Sequence, residues 1–136
     1  MVELSRFAST RASGVGEILQ LLRDGTPRTR SEIMEITGLS RSTVSARVDT
    51  LIGLGLVGPA GEAASSGGRP PARIAFRPSS RIILAIDLGA THGTVGITDL
   101  AGTLLDHVTA ELEIAAGPTA VLEWAVETGR QLLRTI

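Results

Sequence analysis

An α+β fold in two parts is what this sequence of 136 residues predicts, and three observations support it. Apolar residues recur at helical spacing in the first part, short β-rich runs follow in the second, and the charge balance differs between them. Residues 1–80 carry ten arginines and seven acidic residues, whereas residues 81–136 carry three arginines and seven acidic residues. Such an asymmetry indicates one part that binds a polyanion and one part with another task. We therefore expect one domain over residues 1–80 and a second over residues 81–136.

The composition excludes several classes of protein. Hydrophobic residues make up 43% and charged residues 20% of the chain, which favours a packed core over disorder. The absence of cysteine removes disulfides, thiolate metal sites and cysteine nucleophiles. The longest apolar run, around residues 82–86, is too short to span a membrane, and the N-terminus lacks the apolar core of a signal peptide. We expect a cytoplasmic protein with no membrane partner, no metal and no cofactor.

Two short helices are predicted before residue 39. Ser13 is the expected cap of the first and Gly25 its end, while Thr29 and Glu32 form a capping box for the second and Gly38 ends it. Their inner faces are formed by apolar residues at helical spacing: Val15, Ile18, Leu19 and Leu22 in the first, Ile33 and Ile36 in the second.

A third predicted helix follows the turn at Gly38, with Ser40 as its cap. Two helices joined by a glycine-containing turn, the second with a polar and basic start, are typical of a helix-turn-helix. Because that helix must enter a major groove about 12 Å wide, small or hydrogen-bonding residues are favoured there. The alternative is an ordinary solvated face. The candidate base-contacting residues are Ser40, Arg41, Ser42, Thr43, Ser45 and Arg47, and the candidate phosphate contacts are Arg28 and Arg30.

The stretch after this helix predicts a wing. Two extended segments, at residues 56–59 and 72–77, flank a tip rich in glycine and serine. Within the tip, Gly68, Arg69 and Pro70 form a Gly-Arg-Pro sequence that can follow a minor groove, with the guanidinium reaching into an A·T-rich floor. The alternative is a linker on which Arg69 is an ordinary surface charge. The linker interpretation stays open for Ser65 and Ser66.

The second part is predicted to begin with three strands in adjacent antiparallel order, at residues 82–87, 93–99 and 103–109. A helix then starts at Pro118 and has no C-cap before the last residue. Its apolar residues at helical spacing are Val121, Leu122, Ala125, Leu132 and Leu133. So few elements leave an open sheet edge and an uncovered apolar face, from which we expect self-association or a loosely folded second half.

One short stretch of the second part has the chemistry of a phosphate site. Asp87 ends a strand, and Gly89 and Thr91 follow in the turn, where backbone amides can approach phosphate oxygens. The alternative is a structural turn. His92 and His107 are interpreted as surface histidines rather than zinc ligands, because no cysteine accompanies them.

Three stretches in order, "GLSRSTVSARVDTLIGLGLV", "GGRPPARIAF" and "ILAIDLGATHGTVGITDLAGTLL", resemble the start of transcriptional regulators of the ROK family (repressors, open reading frames and sugar kinases). The resemblance covers about residues 15–109. It implies a winged helix-turn-helix followed by the incomplete start of an actin-like, ribonuclease-H-like ATPase domain. In that family the second domain binds sugars, and the regulators control genes of sugar uptake and metabolism as homo-oligomers.

Matched to the family's motifs, Asp87, Gly89 and Thr91 correspond to the nucleotide phosphate loop. Ala90 replaces the second glycine usual in the family's sugar kinases, and its methyl group would crowd a phosphate. The resemblance therefore implies an inactive loop and no enzyme activity. It also implies a fragment of a longer protein, since the family's catalytic aspartate, sugar contacts and zinc site would lie beyond residue 136.

The expected function is that of a sequence-specific DNA-binding regulator, a repressor of sugar genes. We expect a homodimer that binds a palindromic, A·T-flanked operator in double-stranded DNA, with a sugar effector only where the complete second domain is present. Two alternatives stay open: a ROK sugar kinase with a DNA-binding head, and a winged helix that binds a protein partner.

Overall fold

A computed structural model describes residues 14–65 and 67–136. They form two compact units, the described residues up to Arg77 and the segment Pro78–Ile136. The expected cap Ser13, and Ser66 in the wing tip, lie outside the described residues.

Three helices build the described part of the first unit: α1 (Val15–Leu22), α2 (Arg30–Thr37) and α3 (Arg41–Gly53). The predicted capping box is confirmed, since Thr29 Oγ1 accepts a hydrogen bond from the Glu32 amide at 3.1 Å and Glu32 Oε2 accepts one from the Thr29 amide at 2.8 Å. Gly38 ends α2 at φ 71°, a left-handed conformation that glycine adopts without strain.

The core of the first unit is formed by the inner faces of all three helices and by two wing strands. Its buried members are Ile18, Leu22, Ile33, Val44, Val48, Leu51, Val57 and Ile74. The prediction that Ile36 lies on the inner face of α2 is wrong, because its side chain is 56% exposed. Only one narrow stripe of this eight-residue helix faces the core, and Ile36 falls at the rim of an open groove beside it.

The wing is a three-stranded antiparallel sheet of β1 (Arg28–Thr29), β2 (Val57–Glu62) and β3 (Ala72–Phe76), in the order β1-β3-β2. The sequence did not predict β1, because two residues are too few to show a period. Between Pro59 and Glu62 the register shifts, so that Ala60 and Gly61 lie opposite Arg73 alone. Such a bulge bends a strand and increases its twist, which shapes the approach to the wing tip.

In the second unit, β4 (Ile82–Leu88), β5 (His92–Asp99) and β6 (Leu104–Glu111) form the predicted antiparallel sheet in the order β4-β5-β6. The β5–β6 hairpin turns at Asp99, whose Oδ1 accepts hydrogen bonds from the Ala101 and Thr103 amides, both at 2.9 Å. Helix α4 (Pro118–Leu133) starts at the predicted proline. The expectation of no C-cap is wrong: the helix ends at Leu133, and the Arg134 amide donates to the Gln131 carbonyl at 3.1 Å.

The core of the second unit is small. Val95 and Ile97 of β5 pack against Ala125 and Leu132 of α4, with Trp124 at the edge of this cluster. Many apolar residues remain outside it, among them Leu122 at 58% and Leu133 at 46% exposure. The other exposed large apolar side chains lie mainly on β4 and β6: Ile82, Ile83, Leu84, Ile86, Leu88, Leu104, Leu105 and Val108. This unit therefore presents an apolar surface, as expected from its few elements.

Candidate nucleic-acid interface

The first turn of α3 is ordered by its own hydroxyl groups. Ser40 Oγ accepts a hydrogen bond from the Thr43 amide at 3.3 Å and donates one to Thr43 Oγ1 at 2.8 Å. Ser42 Oγ lies 3.2 Å from Ser40 Oγ. Ser40 is thus the predicted cap, and three of the candidate base-contacting residues form one connected polar cluster at the start of the helix.

One stripe of α3 faces away from the core. Ser42, Ala46, Asp49 and Gly53 are spaced as i, i+4, i+7 and i+11, which places them along one side of a helix, and all four are exposed. Only Ser42 of this stripe was among the predicted site residues. The spacing from Ser42 was the signal in the sequence that could have identified the other three.

Arg41 is exposed and Ser45 is half-buried on the neighbouring flank of α3. Arg47, by contrast, is directed toward α1, where its Nη1 lies 3.7 Å from Glu17 Oε2 and its side chain is 24% exposed. A Cβ atom at Gly14, which has φ 70°, would overlap the Arg47 guanidinium. These contacts give Arg47 a role in joining α3 to α1.

The two candidate phosphate contacts differ in their surroundings. Arg28 binds Asp24 through both Nη atoms, at 2.9 and 2.6 Å, and Nη1 also donates to the Leu21 carbonyl at 3.0 Å. Its side chain is 15% exposed. These contacts give Arg28 a structural role in tying the end of α1 to the start of the wing sheet.

Arg30 is the more accessible of the two, with its side chain 36% exposed. Its Nη2 lies 2.9 Å from Asp49 Oδ1, so a single ion pair connects the start of α2 to the outward stripe of α3. Arg30 thus lies beside the helix that carries most of the candidate base contacts.

The Arg28 guanidinium, together with the Thr26 amide, holds the pKa of the Asp24 carboxyl well below its usual range. The same hydrogen-bonded pair raises the pKa of Arg28. Both side chains are therefore charged at neutral pH, and the Asp24–Arg28 ion pair does not titrate in that range.

The wing tip is folded by its own polar groups. The Ser65 hydroxyl donates to the Gly68 carbonyl at 2.9 Å and accepts from the Gly67 amide at 3.2 Å. Gly68 has φ 83°, a conformation that favours glycine at this position. Arg69 follows with an exposed side chain, and Pro70 next to it is half-buried. The described residues of the tip are thus linked by hydrogen bonds, and an arginine lies on their surface.

The predicted phosphate loop is a tight turn between β4 and β5. The Gly89 amide donates to the His92 carbonyl at 2.8 Å, and Thr91 Oγ1 lies 2.7 Å from His92 Nδ1. Thr91 also lines a cavity of about 490 Å³ together with two acidic residues, Glu111 and Glu113. The turn itself uses these polar groups, and the acidic side chains disfavour an anion in the adjoining cavity.

In the part of the chain that the structure describes, no group of three or more His, Asp or Glu residues is placed to hold a metal ion. Across the same residues, no helix is long and apolar enough to cross a membrane.

The comparison with protein families supports the N-terminal fold. Residues 13–58 match the family model described as "Bacterial regulatory protein, arsR family", a helix-turn-helix model that spans α1 to the start of β2. Together with the three-stranded wing sheet, this match defines the class of fold: the first unit is a winged helix-turn-helix.

Two curated relatives and one solved structure extend this result. The chain is 36% identical over 88 residues to a xylose repressor of Bacillus spizizenii and 35% identical over 88 residues to a xylose repressor of Bacillus subtilis. Each match covers 65% of this chain and 23% of the relative. The fold resembles that of a ROK family transcriptional regulator, a homologue of the Escherichia coli MLC protein, with a TM-score of 0.65 and 18% identity over 87% of this chain and 32% of that one.

The predicted resemblance to ROK-family transcriptional regulators is confirmed: the chain is similar in sequence to two xylose repressors and in fold to a ROK family transcriptional regulator. It spans about a quarter of the length of the xylose repressors that it matches. The predicted fold class, a winged helix-turn-helix followed by the first strands and helix of an actin-like domain, is confirmed by the same structural likeness.

Proposed function

We propose that this chain is a sequence-specific DNA-binding transcriptional regulator that represses its target genes. The observation that carries the proposal is the exposed polar start of α3 in a unit whose described large apolar residues, apart from Ile36, Ile52 and Leu54, are buried in one core or packed against it. A winged helix-turn-helix with such a face fits a major groove, because small hydroxyl side chains allow the helix to approach closely and form hydrogen bonds to base edges. The similarity to xylose repressors supports repression over activation.

In this proposal the start of α3 enters the major groove. Ser42 and Ser45 contact base edges, and the exposed Arg41 reaches a guanine or a phosphate at the groove edge. Ser40 and Thr43 order the first turn of α3, and their remaining hydrogen-bonding capacity is available to the phosphate backbone of the DNA. Arg30 contacts a phosphate beside the groove through a guanidinium nitrogen other than Nη2, which stays bound to Asp49.

Two of the proposed contacts would compete with interactions inside the protein. Arg28 is bound to Asp24 and to the Leu21 carbonyl, and Arg47 is directed toward Glu17. A phosphate or base contact by either arginine would require it to leave or share these partners. We therefore propose that both act chiefly through the position of α1 relative to the DNA-binding elements.

The wing occupies the adjacent minor groove in the same proposal. Gly68 and Pro70 shape the backbone around Arg69, and its guanidinium points into the negative floor of an A·T-rich stretch. This contact contributes affinity that depends on the flanking sequence even though it reads no individual base.

The test is a fluorescence anisotropy titration with two palindromic duplexes that differ only in A·T-rich or G·C-rich flanks. Wild-type chain should prefer the A·T flanks, and Arg69→Ala should remove that preference and lower affinity. Binding should weaken with salt by about 0.9 log units per log unit of salt for each phosphate neutralised. Arg134→Ala, an exposed arginine of the second unit, is the matched control and should leave binding unchanged.

The outcomes separate the possible functions. Unchanged affinity and flank preference in Arg69→Ala would exclude the minor-groove role. No binding to any duplex at low salt would contradict the proposal as a whole and favour a winged helix that binds a protein partner.

We also propose that the regulator acts on genes of sugar uptake or metabolism and binds a palindromic operator as a homodimer. The relatives named xylose repressors support the first point. The exposed apolar side chains of β4, such as Ile86 at 47% exposure, support self-association. Sedimentation velocity should show a concentration-dependent dimer that is weakened by Ile86→Asn; a monomer at all concentrations would contradict the association.

The chain is proposed to have no sugar kinase activity. Asp87, Gly89 and Thr91 would be its nucleotide-binding residues, but Ala90 and the acidic cavity beside Thr91 disfavour a bound phosphate. ATP hydrolysis assayed with a panel of hexoses should remain at the background rate. Turnover above background that is lost in Asp87→Ala would overturn this part of the proposal.

A further inference from the structure

Asp49 has an unusual position for an acidic residue in a DNA-binding helix. It lies on the outward stripe of α3 with its side chain 68% exposed, and Ser42, Ala46 and Gly53 are the other members of the stripe. Asp49 is the only charged residue among these four. From Ser42 to Asp49 the helix rises about 10 Å, so both can lie over the same stretch of groove.

The charge of Asp49 is compensated by Arg30. Their 2.9 Å contact uses Asp49 Oδ1, and no other hydrogen bond to this carboxylate is made within the described residues. Oδ2 therefore keeps its full capacity to accept a hydrogen bond from a ligand. The ion pair connects α2 to α3 and limits the rotamers of both side chains.

The small neighbours of Asp49 matter for what it can reach. Ala46 and Gly53 precede and follow it on the stripe and add little bulk, so the helix can lie close to the base edges around Asp49. Among the bases, guanine and thymine present acceptors in the major groove, which repel a carboxylate, and adenine places an acceptor beside its donor. Cytosine presents its N4 amino group as a donor alone.

We propose that Asp49 is a specificity-determining residue that accepts a hydrogen bond from the N4 amino group of a cytosine in the major groove, with Arg30 as its positioning residue. The inference rests on the proposed DNA-binding function and deepens it. Arg30 has two tasks in this arrangement: it lowers the repulsion between Asp49 and the DNA, and it holds the carboxylate in the orientation that contacts the base.

The experiment is selection of binding sites from a randomised duplex library at one fixed salt concentration, followed by competition titrations on the selected site. Wild type should select a C·G pair at one position of each half-site and prefer it by about tenfold or more over the other pairs. Asp49→Ala should lose the preference at that position alone. Asp49→Asn, nearly identical in shape, should shift it toward adenine, which an amide binds through two hydrogen bonds.

Two further variants, one at Arg30 and one at an acidic residue outside the stripe, distinguish recognition of a base from the mere removal of a charge. Arg30→Gln should reduce the preference at the same position as Asp49→Ala, an effect that loss of a phosphate contact alone would not produce. Glu35→Gln removes an exposed acid from α2 and should leave the selected sequence unchanged. Circular dichroism melting of each variant verifies that it is folded.

Each outcome decides the inference. If Asp49→Ala and Asp49→Asn both select the wild-type sequence, or if both gain affinity uniformly for all sequences, Asp49 reads no base, and the inference is overturned while DNA binding stands. If wild type selects no sequence and binds no duplex, the proposed function fails and the inference fails with it.

Discussion

The two units of this chain distribute their apolar residues in opposite ways. In the first, eight buried residues from three helices and two strands form one core, and its exposed surface is mainly polar. In the second, the buried cluster has four members, while β4 and β6 leave most of their apolar side chains exposed. The first unit is a closed domain with a polar binding face, and the second is a sheet whose remaining surface suits contacts with other protein.

The largest expected effect comes from the same substitution made in each unit. Leu22→Ala removes a fully buried side chain of α1 and should lower the free energy of unfolding by about 2–5 kcal/mol. Leu122→Ala removes a side chain that is 58% exposed and should change it by no more than about 0.5 kcal/mol. Urea denaturation followed by circular dichroism measures both. Equal losses from the two substitutions would contradict the contrast between the units.

A pair of glycines provides the next test. A Cβ at Gly93 would lie 2.6 Å from Trp124 Cζ3 and 2.8 Å from Cη2, so Gly93→Ala should separate α4 from β5 and destabilise the second unit by about 1–3 kcal/mol. Gly16 in α1 has no atom within 4 Å of the corresponding position, and Gly16→Ala should stabilise the first unit by up to about 1 kcal/mol.

The fluorescence of Trp124, the only tryptophan in the sequence, reports on the first of these changes. A shift in its emission maximum is expected for Gly93→Ala and not for Gly16→Ala. An unchanged spectrum and an unchanged urea midpoint in Gly93→Ala would show that the ring is not packed against this strand.

The sequence predicted most of the first unit because local signals there agree with the tertiary structure. The capping box at Thr29, the left-handed Gly38 and the apolar spacing of α1 and α3 each act within one helix. Ile36 was placed on the wrong side because periodicity cannot show how wide a stripe the neighbouring elements cover. Strand β1 was missed because its partner, β3, lies more than forty residues away in the sequence.

The candidate site was predicted less completely than the fold. The side chains of Arg28 and Arg47 both have acidic partners within the first unit, and no sequence pattern specifies such pairs. Asp49 was overlooked because an acid opposes binding to a polyanion unless a cation such as Arg30 lies beside it. Side-chain pairing between elements is thus the information that spacing alone lacks.

The smallest expected effect is a pH dependence of the first unit. Because Arg28 holds the pKa of Asp24 below its unfolded value of about 3.9, the ion pair stabilises the fold above that pH and is lost as the pH falls through the lower folded value. Asp24→Asn should lower the urea midpoint at about pH 6 and have less effect at about pH 3. A difference from wild type that is the same at both values would contradict this role of the carboxylate.

The central claim is that the first unit binds DNA and the second does not. An NMR titration of the ¹⁵N-labelled chain with an A·T-flanked palindromic duplex measures this residue by residue. We predict that amide signals of α3, the start of α2 and the wing tip around Arg69 shift on binding, while those of α4 and the β5 core residues Val95 and Ile97 do not. Shifts confined to residues 78–136, or no shifts at low salt, would contradict the claim.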